Sequence, residues 1–190
     1  MKKFLVSLLV ALFGAVSLFA GDTEEIKTLL IRDFELGANG DFTGQLALRT
    51  PDFVETTDLG TFTNEHTRWM ILALDGKHPE EFLLLSAAVE NRGALTPEMR
   101  AWSRELARDP EVLREYAKIV PGVLANIKAD AALQLKTFSL IGIKVDGDSA
   151  TAVVEYDEKN PDGIKHRSST ISLRKVNGKW LMYRCIVKNK

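Results

Sequence analysis

The sequence shows two hydrophobic patterns, one near its start and one in its last third. Between residues 26 and 34, apolar residues recur at the spacing of one face of a helix: Ile26, Leu29, Leu30 and Phe34. From residue 136 to 187, short β-prone runs alternate with turn signals. Asn177-Gly178 separates two of these runs, and Asn-Gly tolerates the positive φ angles of a tight type I′ hairpin turn. Asp146-Gly147-Asp148 is a similar turn signal. We therefore expect consecutive antiparallel strands, with one face of the sheet covered by helices.

Helix signals fill the region before these strands. Asp22 with Glu25 predicts the start of the first helix as a capping box. A short second helix is expected over 41–49, and Thr63-Asn64 predicts the start of another. Helices are expected over most of about 77–132, where Thr96-Pro97 and Asp109-Pro110 are start signals. The last of these helices contains Pro121-Gly122, where we expect a bend or a break.

Residues 1–20 have the composition of a secretory signal peptide. Two lysines precede an uncharged run from Phe4 to Ala20, and a polar segment follows. Cleavage after Ala20 is preferred, with cleavage after Ser17 as an alternative. An uncleaved membrane anchor is the competing interpretation, but the run is at the short limit for crossing a bilayer. We expect an exported protein, periplasmic or secreted, that contacts a membrane only through this segment.

The charge and the cysteine content exclude several function classes. The formal net charge is −1, and it becomes −3 when residues 1–20 are removed with their two lysines. This balance gives no electrostatic case for nucleic-acid binding. Cys185 is the only cysteine, so the chain forms no internal disulfide. The three histidines do not stand at metal-motif spacing from one another, and we expect neither a metal nor a cofactor.

Three segments resemble the nuclear transport factor 2-like superfamily: 29–48, which contains Gly40-Asp41-Phe42, then 145–154, and then 173–183. The resemblance implies an α+β fold in which a curved antiparallel sheet wraps around the N-terminal helix to form a cone. It assigns residues 21–190 to a single domain of this type. The helices at about 77–132 exceed what the family usually carries there, so we interpret them as an insertion before the C-terminal meander.

The resemblance implies that any chemistry lies inside the cone. Enzymes of the family place acids, a Tyr or a His there, but no Tyr stands at the predicted inward positions of the first helix. We therefore favour a non-catalytic protein that binds a small apolar or anionic ligand, or a protein partner. The alternative is a cofactor-free isomerase, dehydratase or hydrolase with Asp52 as base and Arg184 as charge stabiliser. Asp58 is a second acid expected near the cone mouth. The resemblance also makes a homodimer through the outer sheet face an expectation.

Five residues are candidates for the ligand pocket: Phe34, Trp69, Tyr156, Trp180 and Arg184. For the aromatic residues, core packing is the simpler interpretation. Alternation along the last strand places Trp180, Met182, Arg184 and Ile186 on one face. Arg184 among apolar neighbours is then either an anion anchor inside the cone or the partner of an acid such as Glu155 across the sheet. The sequence identifies no ligand, no reaction and no oligomeric state.

Overall fold

The structure is a computed structural model that describes the backbone of residues 2–160 and 162–190 and the side chains of residues 21–160 and 162–190. The predicted signal peptide therefore falls on residues whose side chains are outside the described part. Six helices are present in the described residues: α1 (Lys2–Asn39), α2 (Phe42–Ala47), α3 (Asn64–Ala73), α4 (Pro79–Glu90), α5 (Pro97–Leu106) and α6 (Pro110–Thr137). No helix in this part of the chain is both long and apolar enough to cross a membrane.

Within the described backbone, six strands form one curved, unclosed sheet: β1 (Arg49–Thr57), β2 (Gly60–Thr63), β3 (Ser139–Asp146), β4 (Ser149–Asn160), β5 (Gly163–Val176) and β6 (Lys179–Asn189). The order across the sheet is β2-β1-β6-β5-β4-β3. The last four strands form the predicted antiparallel meander, while β1 pairs with β6 in parallel. Asn177 and Gly178 connect β5 to β6 with φ angles of 51° and 77°, as a type I′ turn requires.

The main core lies between α1 and the inner face of the sheet. Ile26 and Leu30 are fully buried, and Leu29 and Phe34 pack against the same cluster. The sheet contributes alternate residues of its long strands: Ala150, Ala152, Val154 and Tyr156 from β4, and Ile171 and Leu173 from β5. The structure confirms the predicted α+β class and the helical stripe, because the period of the helix and the period of the strands bury the same set of residues.

The start of the first helix was predicted wrongly. Helix α1 runs from Lys2, so Asp22 lies within it and does not cap it. Its carboxylate instead accepts hydrogen bonds from Trp180 Nε1, at 2.9 Å, and from the ammonium group of Lys175. Asp22 therefore ties α1 to the ends of β5 and β6. The other start signals are correct, since Thr63, Thr96 and Asp109 each accept a backbone N–H of the helix that they precede.

Helix α6 covers the open side of the cone. It is continuous from Pro110 to Thr137 with Pro121 inside it, so the helix is not broken at Pro121-Gly122. The backbone N–H of Lys159 donates to Asp130 at 2.6 Å, and that of Asp157 donates to Thr137 Oγ1 at 2.8 Å. These two bonds hold the C-terminal part of α6 against β4.

A bulge in β6 overturns the predicted facing of the last strand. Met182 pairs with Leu173, but Arg184 pairs with Ser172, so Tyr183 is an extra residue in β6. One extra residue exchanges the two faces of a strand beyond that point. The buried residues of β6 are consequently Trp180, Met182, Cys185 and Val187. Arg184 is exposed on the outer face and does not point into the cone.

Helices α3 and α4 form a second, smaller cluster beside the sheet, in which Trp69, Leu84 and Ala88 are buried. The segment after α4 joins the edge strand β2, because the Thr61 N–H donates to the Arg92 carbonyl at 3.1 Å. Gly93 is required at this junction. It has φ +91°, and a Cβ there would lie 1.8 Å from the carbonyl oxygen of Thr61.

Candidate functional site

A cavity of about 180 Å³ lies between α1, the inner face of the sheet and the C-terminal part of α6. Its apolar walls include Leu30, Phe34, Phe53, Ile171 and Met182. A second group of lining residues carries polar or charged side chains: Asp33, Gln45, Arg49, Glu55, Gln134, Tyr156, Ser169 and Cys185. The cone interior is therefore neither filled nor uniformly apolar.

Asp33 is the acidic residue that α1 contributes to the cavity. It stands three residues after Leu30 and seven after Ile26, so it belongs to the buried stripe of the helix. Its Oδ1 atom is inaccessible to solvent and accepts no hydrogen bond. Burial raises the pKa of the Asp33 carboxyl group to about 6; the nearby positive charge of Arg49 opposes this increase and the negative charge of Glu55 adds to it. The Asp33 carboxyl group therefore titrates near pH 6, closer to neutral pH than an ordinary aspartate.

Strand β1 contributes Arg49, Phe53 and Glu55 to the same cavity. Phe53 and Glu55 are two residues apart and therefore share the inner face of the strand. The guanidinium carbon of Arg49 lies 4.4 Å from the centre of the Phe53 ring, and Arg49 Nη1 donates to Thr67 Oγ1 at 3.1 Å. Its Nε–H is buried and has no acceptor. The cavity thus holds an unpaired acceptor on α1 and an unpaired donor on β1.

Tyr156 and Ser169 form the polar part of the opposite wall, where their hydroxyl groups are 3.0 Å apart in a hydrogen bond. The Tyr156 ring meets Phe34 edge to face at 5.3 Å. Burial raises the pKa of the Tyr156 hydroxyl and that of the Cys185 thiol, so both groups are protonated at neutral pH. Cys185 is therefore a buried neutral thiol and not an activated nucleophile.

The structure brings two of the five predicted pocket residues to the cavity, namely Phe34 and Tyr156. Trp69 belongs to the separate cluster of α3 and α4, and Trp180 lies in the main core but not in the cavity wall. Arg184 is on the outer face, and its predicted alternative partner Glu155 pairs with Lys190 and His166 instead.

The predicted catalytic acid is also outside the cone. Asp52 is exposed and forms an ion pair with Arg174. The arrangement of Asp52 and Arg184 as base and charge stabiliser is therefore wrong, because neither side chain faces the cavity.

Asp58, the second predicted acid, pairs with Arg167 at 3.0 Å. Arg167 is 2% exposed and also binds Glu158 and Asn189. This buried ion pair joins the β1–β2 turn to the ends of β4, β5 and β6.

Sequence reasoning missed Asp33, Arg49 and Glu55, although Asp33 and Glu55 each left a signal. Asp33 is a charged residue on the apolar stripe of the first helix, and a charged residue seldom occupies such a position without a partner. Phe53 is an apolar residue in a β-prone run, so it is expected to face inward. Glu55 stands two residues later and is expected on the same face. Arg49 has no comparable signal, because an irregularity in the pairing of β1 with β6 lies between Arg49 and Val54.

The part of the chain with described side chains contains no group of three or more His, Cys, Asp or Glu residues that could hold a metal ion. The charged groups of the cavity are one guanidinium and two carboxylates on different elements. They are suited to hydrogen bonding, ion pairing and proton transfer.

The sequence matches no protein-family model and no curated protein. Among solved structures, it is similar to a nuclear transport factor 2-like protein with a cystatin-like fold from Novosphingobium aromaticivorans, with 15% identity and a TM-score of 0.50 over 92% of this chain and 86% of that chain. A nuclear transport factor 2-like protein of unknown function from Shewanella oneidensis has 13% identity and a TM-score of 0.48, over 87% of this chain and 98% of that chain. A protein of unknown function with a cystatin-like fold from Nostoc punctiforme has 15% identity and a TM-score of 0.46, over 90% of this chain and 92% of that chain. By its likeness to the Novosphingobium protein and its own curved sheet around α1, this chain has the nuclear transport factor 2-like, cystatin-like fold.

Proposed function

We propose that the protein binds a small polar molecule inside the cone. The observation that carries this proposal is the unfilled cavity of about 180 Å³, in which Asp33 Oδ1 and Arg49 Nε have no hydrogen-bond partner. A buried polar group without a partner costs stability, so its persistence favours a role in binding. A dry cavity of about 150 Å³ in a protein core accommodates benzene. The cone therefore has room for a molecule of about one ring.

The cavity is not an apolar pocket with a single anion anchor. Polar groups from α1, β1, β4 and β5 face the same cavity, and they include both donors and acceptors. A ligand with at least one polar group would satisfy them, while its hydrocarbon part would contact Phe34 and Met182. A purely apolar ligand would leave the Asp33 carboxylate unsatisfied in a drier site.

The experiment is a fragment screen on the ¹⁵N-labelled protein, using single-ring molecules that each carry one polar group. We expect binding to shift the amide signals of cavity residues such as Phe34 and Met182. Ala131 lies in the cavity wall on α6, and its exposed neighbour Ala132 does not. Ala131→Leu should abolish these shifts, whereas the same substitution at Ala132 should leave them unchanged. Shifts that survive Ala131→Leu, or that fall outside the cone, would refute binding in the cavity.

A second candidate function is cofactor-free proton transfer, and the pKa of Asp33 favours it. A carboxyl group whose pKa is raised to about 6 is a competent general base near neutral pH. Asp33 would take the role first assigned to Asp52, with the Arg49 guanidinium or the Tyr156 hydroxyl as stabiliser of the developing negative charge. Incubation with cyclohexanone in D₂O tests this function. Incorporation of deuterium beside the carbonyl, lost in Asp33→Asn, would support it, and exchange at the buffer rate would exclude it for this class of ketone.

Residues 1–20 are proposed as an export signal on their composition alone. Expression of the full chain in a bacterium, followed by mass spectrometry of the periplasmic fraction, tests this proposal. A mature protein that begins at Gly21 is the expected result, and retention of the intact chain in the cytoplasm would refute it.

A further inference from the structure

The charged groups of the cone are unequal in number and in how well they are paired. Two carboxylates line the cavity, those of Asp33 and Glu55, against one guanidinium, that of Arg49. Arg49 already stacks on Phe53 and donates to Thr67. Neither carboxylate is within ion-pair distance of a cation among the described residues, and the Glu55 side chain forms no hydrogen bond there either. The ionised side chains that line the cavity therefore carry a net negative charge, which a positively charged ligand would balance.

The walls of the cavity also suit a cation. Phe34, Phe53 and Tyr156 present aromatic surface to the same space. The faces of aromatic rings carry a negative potential that attracts ammonium and guanidinium groups, and the attraction grows when water is excluded. Phe53 already binds one such group, the guanidinium of Arg49.

Resting on the proposed function, we propose that the ligand is a small organic cation, an amine about the size of a single ring, whose ammonium group pairs with the Asp33 carboxylate. Glu55 adds a second negative charge nearby, and the aromatic walls hold the hydrocarbon part. An anionic ligand would bring a third negative charge beside Asp33 and Glu55, and only Arg49 would compensate for it. This assignment replaces the expectation of an apolar or anionic ligand.

Three probes of similar size and different charge test the assignment: benzylamine, benzyl alcohol and benzoate. Binding of each to the ¹⁵N-labelled protein at pH 7.5 is measured from the shifts of the cavity amides, so that site and affinity come from one titration. A charged hydrogen bond that replaces an unmade one should give benzylamine a dissociation constant about tenfold or more below that of benzyl alcohol. Benzoate should bind more weakly than either.

Two variants test whether Asp33 is the residue that makes benzylamine bind more tightly than benzyl alcohol. Asp33→Asn removes the counter-ion but keeps the size and polarity of the side chain, so the affinity for benzylamine should fall by more than the affinity for benzyl alcohol, and benzylamine should lose its advantage. Glu35→Gln on the same helix removes an exposed carboxylate outside the cavity and should change neither affinity. Shifts of the cavity amides on addition of benzyl alcohol to Asp33→Asn also show that the cavity is intact.

The dependence on pH is a further readout of the same pairing. Asp33 is faced by Arg49 and Glu55 from β1, by the Gln45 amide from α2, and by the Cys185 thiol from β6. Burial raises the pKa of Asp33 to about 6, so affinity for benzylamine should fall between pH 7 and pH 5 as the carboxylate is protonated. Affinity for benzyl alcohol should not follow that curve.

The outcomes separate the inference from the proposed function. If benzyl alcohol or benzoate binds in the cavity as tightly as benzylamine, the cone binds small molecules but the assignment of a cation is wrong. If Asp33→Asn keeps the preference for benzylamine, Asp33 is not the counter-ion and the inference also fails. If none of the three probes shifts the cavity amides, the proposed function itself fails at this ligand size.

Discussion

Replacing Asp33 with Asn should stabilise the protein at neutral pH. Burial raises the pKa of this carboxyl group from its ordinary value of 3.8 to about 6 in the folded state. Each unit of such a difference corresponds to about 1.4 kcal/mol, so ionised Asp33 lowers the free energy of unfolding by about 3 kcal/mol. Asn fills nearly the same volume without the charge. The variant should therefore gain about 3 kcal/mol, because the pKa of about 6 already includes the attraction of Asp33 to Arg49.

The stabilisation by Asp33→Asn should depend on pH, because only the ionised carboxylate of the wild type is destabilising. The folded state holds the Asp33 proton more tightly than the unfolded state, so the penalty is fully present above about pH 6 and absent below about pH 4. Urea unfolding of the wild type and Asp33→Asn at pH 7.5 and pH 4 measures the difference. We expect a large gain at pH 7.5 that shrinks towards zero at pH 4. Glu35→Gln, which breaks only an exposed pair with Arg32, should stay within about 0.5 kcal/mol at both values.

Two results would refute this reasoning. Equal stability of the wild type and Asp33→Asn at pH 7.5 would mean that the carboxylate is solvated or paired in solution. A gain that does not change with pH would assign the effect to packing and not to charge.

Three further predictions follow from other parts of the chain. Arg167→Met should lower the free energy of unfolding by about 1 to 2 kcal/mol, because Asp58 and Glu158 lose charged hydrogen bonds but remain partly exposed to water; urea unfolding measures this, and unchanged stability would contradict it. Because Arg167 also holds the pKa of Asp58 below its usual range, the stabilisation by this pair should be present above about pH 4 and be lost as the pH falls further. Gly93→Ala should destabilise far more than Gly76→Ala, since Gly93 has both a positive φ and a close backbone neighbour, whereas Gly76 has a positive φ and no neighbour within 4 Å; similar melting temperatures for the two would be evidence against the junction described above. Cys185 is buried and its pKa is raised, so a thiol reagent larger than the cavity should modify it only as fast as the protein unfolds; fast modification of the native protein by such a reagent would contradict this.

The fold could be predicted from the sequence because its signals are local. The stripe from Ile26 to Phe34 has the period of a helix, and the turn at Asn177-Gly178 specifies both the hairpin and its register. The residues at Thr96 and Asp109 satisfy free backbone groups at helix ends, which depends only on neighbours in the sequence. None of these signals depends on residues far along the chain.

The site could not be predicted in the same way, because it depends on long-range geometry. The bulge at Tyr183 carries no turn residue, yet it moves Arg184 out of the cone and Cys185 into it. The parallel pairing of β1 with β6 determines that Glu55 lies opposite Cys185. Asp33 was visible on the stripe, but only its neighbours in the structure show that its Oδ1 atom is unpaired.

The charges of the cone are difficult to explain by folding alone. An apolar residue at position 33 would complete the stripe of α1 and avoid a buried carboxylate with one unpaired oxygen atom, which lowers stability by the amount worked out above. The structure shows that the fold can pair a buried charge fully, because Arg167 in the same sheet has three partners. Asp33 and Glu55 have no ion-pair partner among the described residues, and both line the cavity. Two carboxylates without an ion-pair partner beside a cavity, in a chain that pairs the buried Arg167, are best explained by a partner that is not part of the chain.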